Sequence, residues 1–251
     1  MELTELIGAI VLFFVGILAA FLNVTAGGGS SITVPALIFL GVDPTMANGT
    51  NRLGIVLQNA SASVSFRNEK VYQTKYTIIY ALLAIPGAIL GSVYATEISD
   101  DAFKKALGIV LIGVIVTILL PKSKKVLETG LKNKYSWLIY PGFFILGFYG
   151  GFIQIGIGFL IIALIEKTIR IDLVKTNMHK TFVILSINIP ALFIFIATGH
   201  MNWVLGIALA AGTTVGGWWA AKLTVRRGEK FIRFFFIAAL VVISVKLLGI
   251  I

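Results

Sequence analysis

Cysteine is absent from this 251-residue chain. That excludes disulfides, thiolate metal sites and cysteine nucleophiles, while leaving the compartment open. Imidazole is scarce as well, since His179 and His200 are the only two histidines. Acidic residues number 11 against 21 basic ones, and no carboxylate lies deep in a hydrophobic run. Glu166 and Asp172 sit at an edge beside Lys167 and Arg170, where solvent reaches them. A cation transporter or a carboxylate-based proton pump is therefore disfavoured, because either needs a buried anion in the membrane. No His, Asp or Glu cluster has metal-ligand spacing, and no metal or cofactor is expected.

What is abundant is apolar surface. Hydrophobic residues make up 58% of the chain, charged ones 13%, and mean hydropathy is +0.97. This is the composition of an all-α integral membrane protein, with membrane lipid as its surroundings. Uncharged apolar runs fill residues 6–24, 27–42, 76–95, 136–165, 181–198 and 204–221. Further runs at 53–66, 106–120 and 234–245 carry charge only near their edges. The net charge of +10 sits in loops, the orientation signal of membrane proteins, and no basic patch is interleaved with exposed aromatics. Nucleic acid is not an expected partner. The acidic start Met1-Glu2-Leu3-Thr4-Glu5 lacks the basic region of a cleavable signal peptide.

The first run is interrupted at Gly27-Gly28-Gly29-Ser30-Ser31, followed by Pro35. Irregular backbone at membrane depth is tolerated only where protein or a wet cavity surrounds it. Residues 28–42 rise about 22 Å as a helix, short of a hydrocarbon core of roughly 30 Å. The start of such a half-helix offers free N–H groups and a positive dipole end, which suits an anion. The Ser30 and Ser31 hydroxyls could cap it or donate to an oxyanion. In the second half, Gln154-Ile155-Gly156-Ile157-Gly158 precedes its own short run. The competing reading is that these glycines only let helices pack closely.

A polar stripe follows the first break. Thr45, Asn48, Arg52, Asn59 and Ser63 share one helical face. Arg52 is the only charge between Asp43 and Arg67, and Asn51 lies beside it. Its counterpart is Lys180, with Thr176, Asn177, His179 and Asn188 nearby. Arginine offers a planar fork for oxyanions, lysine a point charge. Either could instead snorkel to the interface. His179 is the one candidate titrating relay. Arg52 as counter-charge, Asn48, Asn51 and Asn59 as orienting groups, and Gln154, Gly156, Gly158, Asn177 and Lys180 from the other half complete the candidate site. On this reading Arg52→Ala abolishes anion passage and leaves the protein folded.

The chain also repeats itself. Gly16 to Asn23 lines up with Gly147 to Gln154, Asn48 to Arg52 with Thr176 to Lys180, and Pro86 to Gly91 with Gly212 to Gly217. Basic loops at 67–75, 121–136 and 222–233, with an acidic loop at 96–101 and an uncharged one at 199–203, put corresponding loops on opposite sides. The expected fold has two inverted repeats, residues 1–120 and 137–251, joined by a basic cytoplasmic linker at 121–136. Each repeat holds about three full transmembrane helices plus a helix–break–short helix element, and both termini lie outside the cell membrane. Whether the short segments cross or turn back stays open.

Enzymes fit poorly. Gly28-Gly29-Ser30 resembles the start of an intramembrane serine-protease motif, but Ile32 follows Ser31, and no P-loop lysine accompanies the glycines. The chain does resemble the TauE/SafE family of sulfite exporters and sulfonate permeases, the toluene-sulfonate uptake permeases. The resemblance rests on Thr25-Ala26-Gly27-Gly28-Gly29, on Pro35, and on Gly41-Val42-Asp43-Pro44-Thr45-Met46-Ala47-Asn48-Gly49-Thr50, with Gly147 to Gly158 as the repeated element. It covers essentially the whole chain. Departures are Thr25 for the usual glycine, Phe159-Leu160 for later glycines, and Lys175, His179 and Lys180 where small residues are common. The resemblance implies passage of sulfite, thiosulfate or organosulfonates, driven by a proton or sodium gradient. A homodimer is a further expectation. An anion channel and an accessory membrane subunit are the alternatives.

Overall fold

The computed structural model describes residues 3–72, 75–119, 136–168 and 171–247. The basic linker falls almost wholly outside them. The described residues are helical, with no strand among them. Helix α1 is Leu3–Thr25, α2 Ser30–Phe39, α3 Pro44–Asn68, α4 Lys75–Glu97 and α5 Asp100–Leu119. The second half follows with α6 Ile139–Phe152, α7 Ile157–Thr168, α8 Leu173–Ala197 and α9 Trp203–Leu247. Among the described residues, four segments have the length and apolarity to cross a bilayer: Leu6–Thr25, Lys75–Glu97, Leu173–Ala197 and Trp203–Gly228. Their outer surfaces carry Phe14, Leu18, Leu82, Phe193 and Ile207, all exposed, as a lipid-facing surface requires. Helix α3 has 25 residues but falls outside that set, because so many of its buried positions are polar.

Local chemistry sets the boundaries. Pro44 opens α3 at a position where its missing N–H costs nothing. Asp172 caps α8 by accepting from Lys175 N at 2.9 Å. Gly41, at φ +85°, ends α2 with a bond from Val42 N to Leu37 O, five residues back. The basic 222–233 segment expected as a loop is narrowed to a break between two helices at Gly228. Helix α9 runs through it, interrupted by Gly228 at φ 68° and ψ −160°.

Both short helices turn back. A Cβ on Gly8, near the start of α1, would lie 3.3 Å from the side chain of Leu40 just beyond α2. A Cβ on Gly142 in α6 would come within 2.9 Å of Leu164 in α7. Each pair is a helical hairpin whose bend lies inside the protein.

Glycines bring the long helices together. A Cβ on Gly147 or Gly151 would sit 2.0 Å from the carbonyl oxygen of Ala84 or Ala88 in α4. On Gly212 it would sit 1.9 Å from Phe13 O, and on Gly216 2.5 Å from Ile17 O. So α6 packs on α4 and α9 on α1, both pairs running parallel, and the competing packing role holds for these glycines. Helices α3 and α8 fill the centre, where α3 also lies along α9 and α8 along α4.

The loops gather at two ends. Arg226 pairs with Glu69 at 3.0 Å, bringing the turn after α3 to the middle of α9. At the other end, Val42, Phe103 and Leu205 share one apolar cluster, and Asn202 N donates to Thr50 Oγ1 at 2.9 Å.

The glycine contacts make a direct prediction. Gly147→Ala and Gly212→Ala should each destabilise by roughly 1–3 kcal/mol through overpacking. Gly108→Ala, with nothing within 4 Å of its Cβ, should leave the melting temperature of the detergent-solubilised protein almost unchanged.

Candidate functional site

Breaking a helix in a membrane strands N–H groups on one side of the break and C=O groups on the other. The two breaks meet here. Gly27, at φ +95°, lies against Gly158 so closely that a Cβ on Gly27 would fall 2.4 Å from the Gly158 carbonyl carbon. A Cβ on Gly28 would strike the Phe159 ring at 2.6 Å, and one on Gly29 would reach Ala19 O at 2.2 Å. A side chain at Gly27 or Gly28 would force the two hairpins apart, and one at Gly29 would push α2 off α1. Gly156 takes φ +73°.

The stranded carbonyls are taken by cations from the opposite half. Arg52 in α3 donates through Nη1 to Gly150 O at 3.2 Å, Asn188 Oδ1 at 3.1 Å and Gln154 Oε1 at 3.4 Å. Its Nη2 donates to Gly151 O, and the guanidinium stands 4.6 Å from the Phe195 ring centroid. Asn48, one turn earlier, donates to Phe152 O at 2.9 Å. Thus α3 of the first half closes the end of α6 in the second. Lys180 in α8 does the reverse, donating to Asn23 O at 2.8 Å and Val24 O at 2.7 Å at the end of α1. Its third bond goes to Asn177 Oδ1 at 2.6 Å. Both cations are 0% exposed, so neither snorkels in this conformation. The ion pairs among the described residues, Lys175–Asp172 and Arg226–Glu69, lie at the surface and reach neither cation.

These bonds allow the two breaks to be compared by geometry. Asn23 and Val24 accept from Lys180 as Gly150 and Gly151 accept from Arg52, whereas glycine matching set Asn23 opposite Gln154. Gly27 N bonds Leu22 O, and Gln154 N bonds Tyr149 O, each two residues past its helix and each at positive φ. The discrepancy is four residues, about one helical turn. A one-turn slip keeps the same face, which is why glycine spacing could not detect it. The equivalence of Arg52 with Lys180 is unaffected.

The N–H side of each break is left open. Gly28, Gly29, Ser30, Gly156 and Gly158 donate to no backbone carbonyl among the described residues. Buried around them are further unpartnered donors: Asn51 Nδ2, Arg52 Nε, Gln154 Nε2 and Asn177 Nδ2. Asn51 accepts at Oδ1 from Thr33 at 2.6 Å. Asn48 Oδ1 is a buried amide oxygen without a partner. No group of three His, Cys, Asp or Glu gathers among the described residues. The field at the breaks is that of helix N-termini and two cations.

Not every candidate joins. Ser31 Oγ turns back to Gly28 O at 2.6 Å, and Asn59 Nδ2 to Ile55 O of its own helix at 2.7 Å. His179 Nδ1 lies 2.6 Å from Thr77 Oγ1 of α4, beside Tyr80. Thr33 and Phe195 were not legible as site residues, because nothing local in sequence marks a hydroxyl or a ring that meets α3 across the fold. Asn188 had a signal, standing two turns beyond Lys180 on the same face.

The sulfite exporter TauE/SafE family model matches residues 12–247. The chain belongs to that family. It is 29% identical over 226 residues to a Haemophilus influenzae "Probable membrane transporter protein", covering 89% of this chain and 88% of that one. Over 242 residues it is 29% identical to the Escherichia coli "Probable membrane transporter protein YfcA", covering 95% and 88%. The Bacillus subtilis "Probable membrane transporter protein YunE" is 23% identical over 264 residues, covering 95% and 97%. No solved structure matches the chain. Family membership and the apolar helices together make this TauE/SafE protein a multi-pass membrane transporter.

The cross-half bonds change the expectation for Arg52. Arg52→Ala unpairs the ends of Gly150, Gly151, Gln154 and Asn188, at about 1–3 kcal/mol for each buried group left unsatisfied. A ligand-free thermal melt should show a clear loss of stability, with Arg52→Lys, which retains part of the donor set, falling between it and wild type.

Proposed function

We propose that the protein is a secondary transporter of a small sulfur-containing anion, sulfite, thiosulfate or an organosulfonate, working by alternating access. The observation that carries this reading is the pair of glycine breaks, whose unpartnered N–H groups and buried amide and guanidinium donors face no carboxylate. Two buried cations compensated only by carbonyl dipoles leave positive potential at the breaks, and an anion completes that balance. The description of the family as a sulfite exporter favours a sulfur oxyanion among anions of similar charge.

The packing supports inverted repeats. Helix α1 runs parallel to α9, and α6 parallel to α4, while α3 and α8 cross antiparallel through Arg52–Asn188 and the Phe66–Met178 cluster. Two hairpins entering from opposite ends suit a site that opens to one side and then the other. Gly27 to Ser30 and Gln154 to Gly158 are all buried, so this conformation is closed around the breaks. The end shared by Glu69 and Arg226 is the cytoplasmic one, on the strength of its lysines and arginines. That puts the N-terminus outside the plasma membrane. A proton or sodium ion drives the cycle, and a homodimer is the expected assembly.

The test is flux into proteoliposomes, with sulfite, thiosulfate, sulfate, phosphate, taurine and acetate compared at matched ionic strength. Saturable uptake selective for a sulfur anion, and dependent on an imposed proton or sodium gradient, is expected. Non-saturating flux that ignores both gradients would make the protein a channel, and no flux of any anion would leave the accessory-subunit reading.

A further inference from the structure

The two buried cations differ in what they have left to give. Lys180 has three N–H groups, and Asn23 O, Val24 O and Asn177 Oδ1 occupy all three. Arg52 has five, and its Nε is buried without a partner. An anion at the breaks can therefore meet Arg52 directly, but not the Lys180 ammonium.

What each cation does to a neighbouring amide is the same. An ammonium or guanidinium has no acceptor, so the atom of the carboxamide that faces it must be the oxygen. Lys180 holds Asn177 Oδ1, which leaves Asn177 Nδ2 as a buried, unpartnered donor. Arg52 holds Gln154 Oε1, which leaves Gln154 Nε2 in the same state. Asn177 is 0% exposed and Gln154 1%, so neither donor is satisfied by bulk water. A free amide at either position could turn its oxygen toward the breaks and repel an anion.

Building on the anion-transporter reading above, we propose that Lys180 is a positioning residue that fixes the Asn177 amide so that Nδ2 is a donor to the transported anion. Lys180 touches the anion through no atom of its own, and Asn177 is its ligand. Arg52 combines both roles, binding through Nε and orienting Gln154. The two fixed amides, with Arg52 Nε, weight the site toward donors, while Asn48 Oδ1 is an unpartnered acceptor beside them.

Purified full-length protein in detergent provides the test, with melting temperature and equilibrium binding of sulfite and thiosulfate measured together. Asn177→Asp places a carboxylate against the Lys180 ammonium, so the variant should melt no lower than wild type. It removes the N–H donors and should weaken binding by about tenfold or more. Gln154→Glu, facing Arg52, should behave alike. In the Asn177→Leu background, Lys180→Met should weaken binding by less than about threefold further, as expected of residues acting through one another. Wild-type binding that survives Asn177→Asp unchanged would overturn this inference alone. Additive losses from Lys180→Met and Asn177→Leu would make Lys180 a direct ligand. A wild type that binds neither anion would overturn the transporter reading as well.

Discussion

A helix broken inside a bilayer has to find partners for both of its broken ends, and the architecture of this protein is the consequence. Water cannot supply them at that depth. The carbonyl ends of α1 and α6 are met by Lys180 and Arg52, each reaching across from the other half. At the starts of α2 and α7, which meet at Gly27 and Gly158, the N–H groups of Gly28, Gly29, Ser30, Gly156 and Gly158 find no backbone acceptor among the described residues, whereas those of Ser31 and Ile157 do. The asymmetry is chemical: the described residues supply positive partners at the breaks and no carboxylate, and the proposed ligand would supply the negative one.

This division explains the charge distribution. Buried Arg and Lys would be costly in isolation, and a carboxylate pair is the common remedy. None is used here, since the described ion pairs are both at the surface. Carbonyl dipoles hold the cations in place without cancelling their charge, which is what the proposed anion site relies on. The same bonds tie each hairpin to the opposite half. Movement of one half relative to the other must therefore carry a broken helix end with it, or release a cation from its carbonyls.

Much of this was legible in the sequence. Three consecutive glycines before a short apolar run gave the first break, and Gln154 to Gly158 gave the second, because glycine and polar residues are conspicuous in an apolar run. The stripe from Thr45 to Asn59 was legible by helical spacing, although Asn59 turned out to bond its own helix. The partners of Arg52 were not. Gly150 and Gly151 lie almost a hundred positions away and act through backbone oxygens, which carry no sequence signature. Glycine matching differs by one turn from the pairing of the cations with backbone carbonyls for a related reason, since glycines four apart present the same face. Loop charge predicted a connection over 222–233, and the structure narrows it to the break at Gly228, because basic residues at a membrane edge are as compatible with a helix as with a loop.

The central claim is that the anion sits between the two breaks, and locating it is the most direct test. Selenite or selenate soaked into crystals of the full-length protein would mark the position by anomalous scattering. The account predicts a peak within hydrogen-bonding distance of the backbone N–H groups of Gly28 to Ser30 and of Gly156 or Gly158. A well-occupied peak confined to the open cavity of about 390 Å³ lined by Leu40, Asp43, Met46 and Asn202, with none at the breaks, would contradict it.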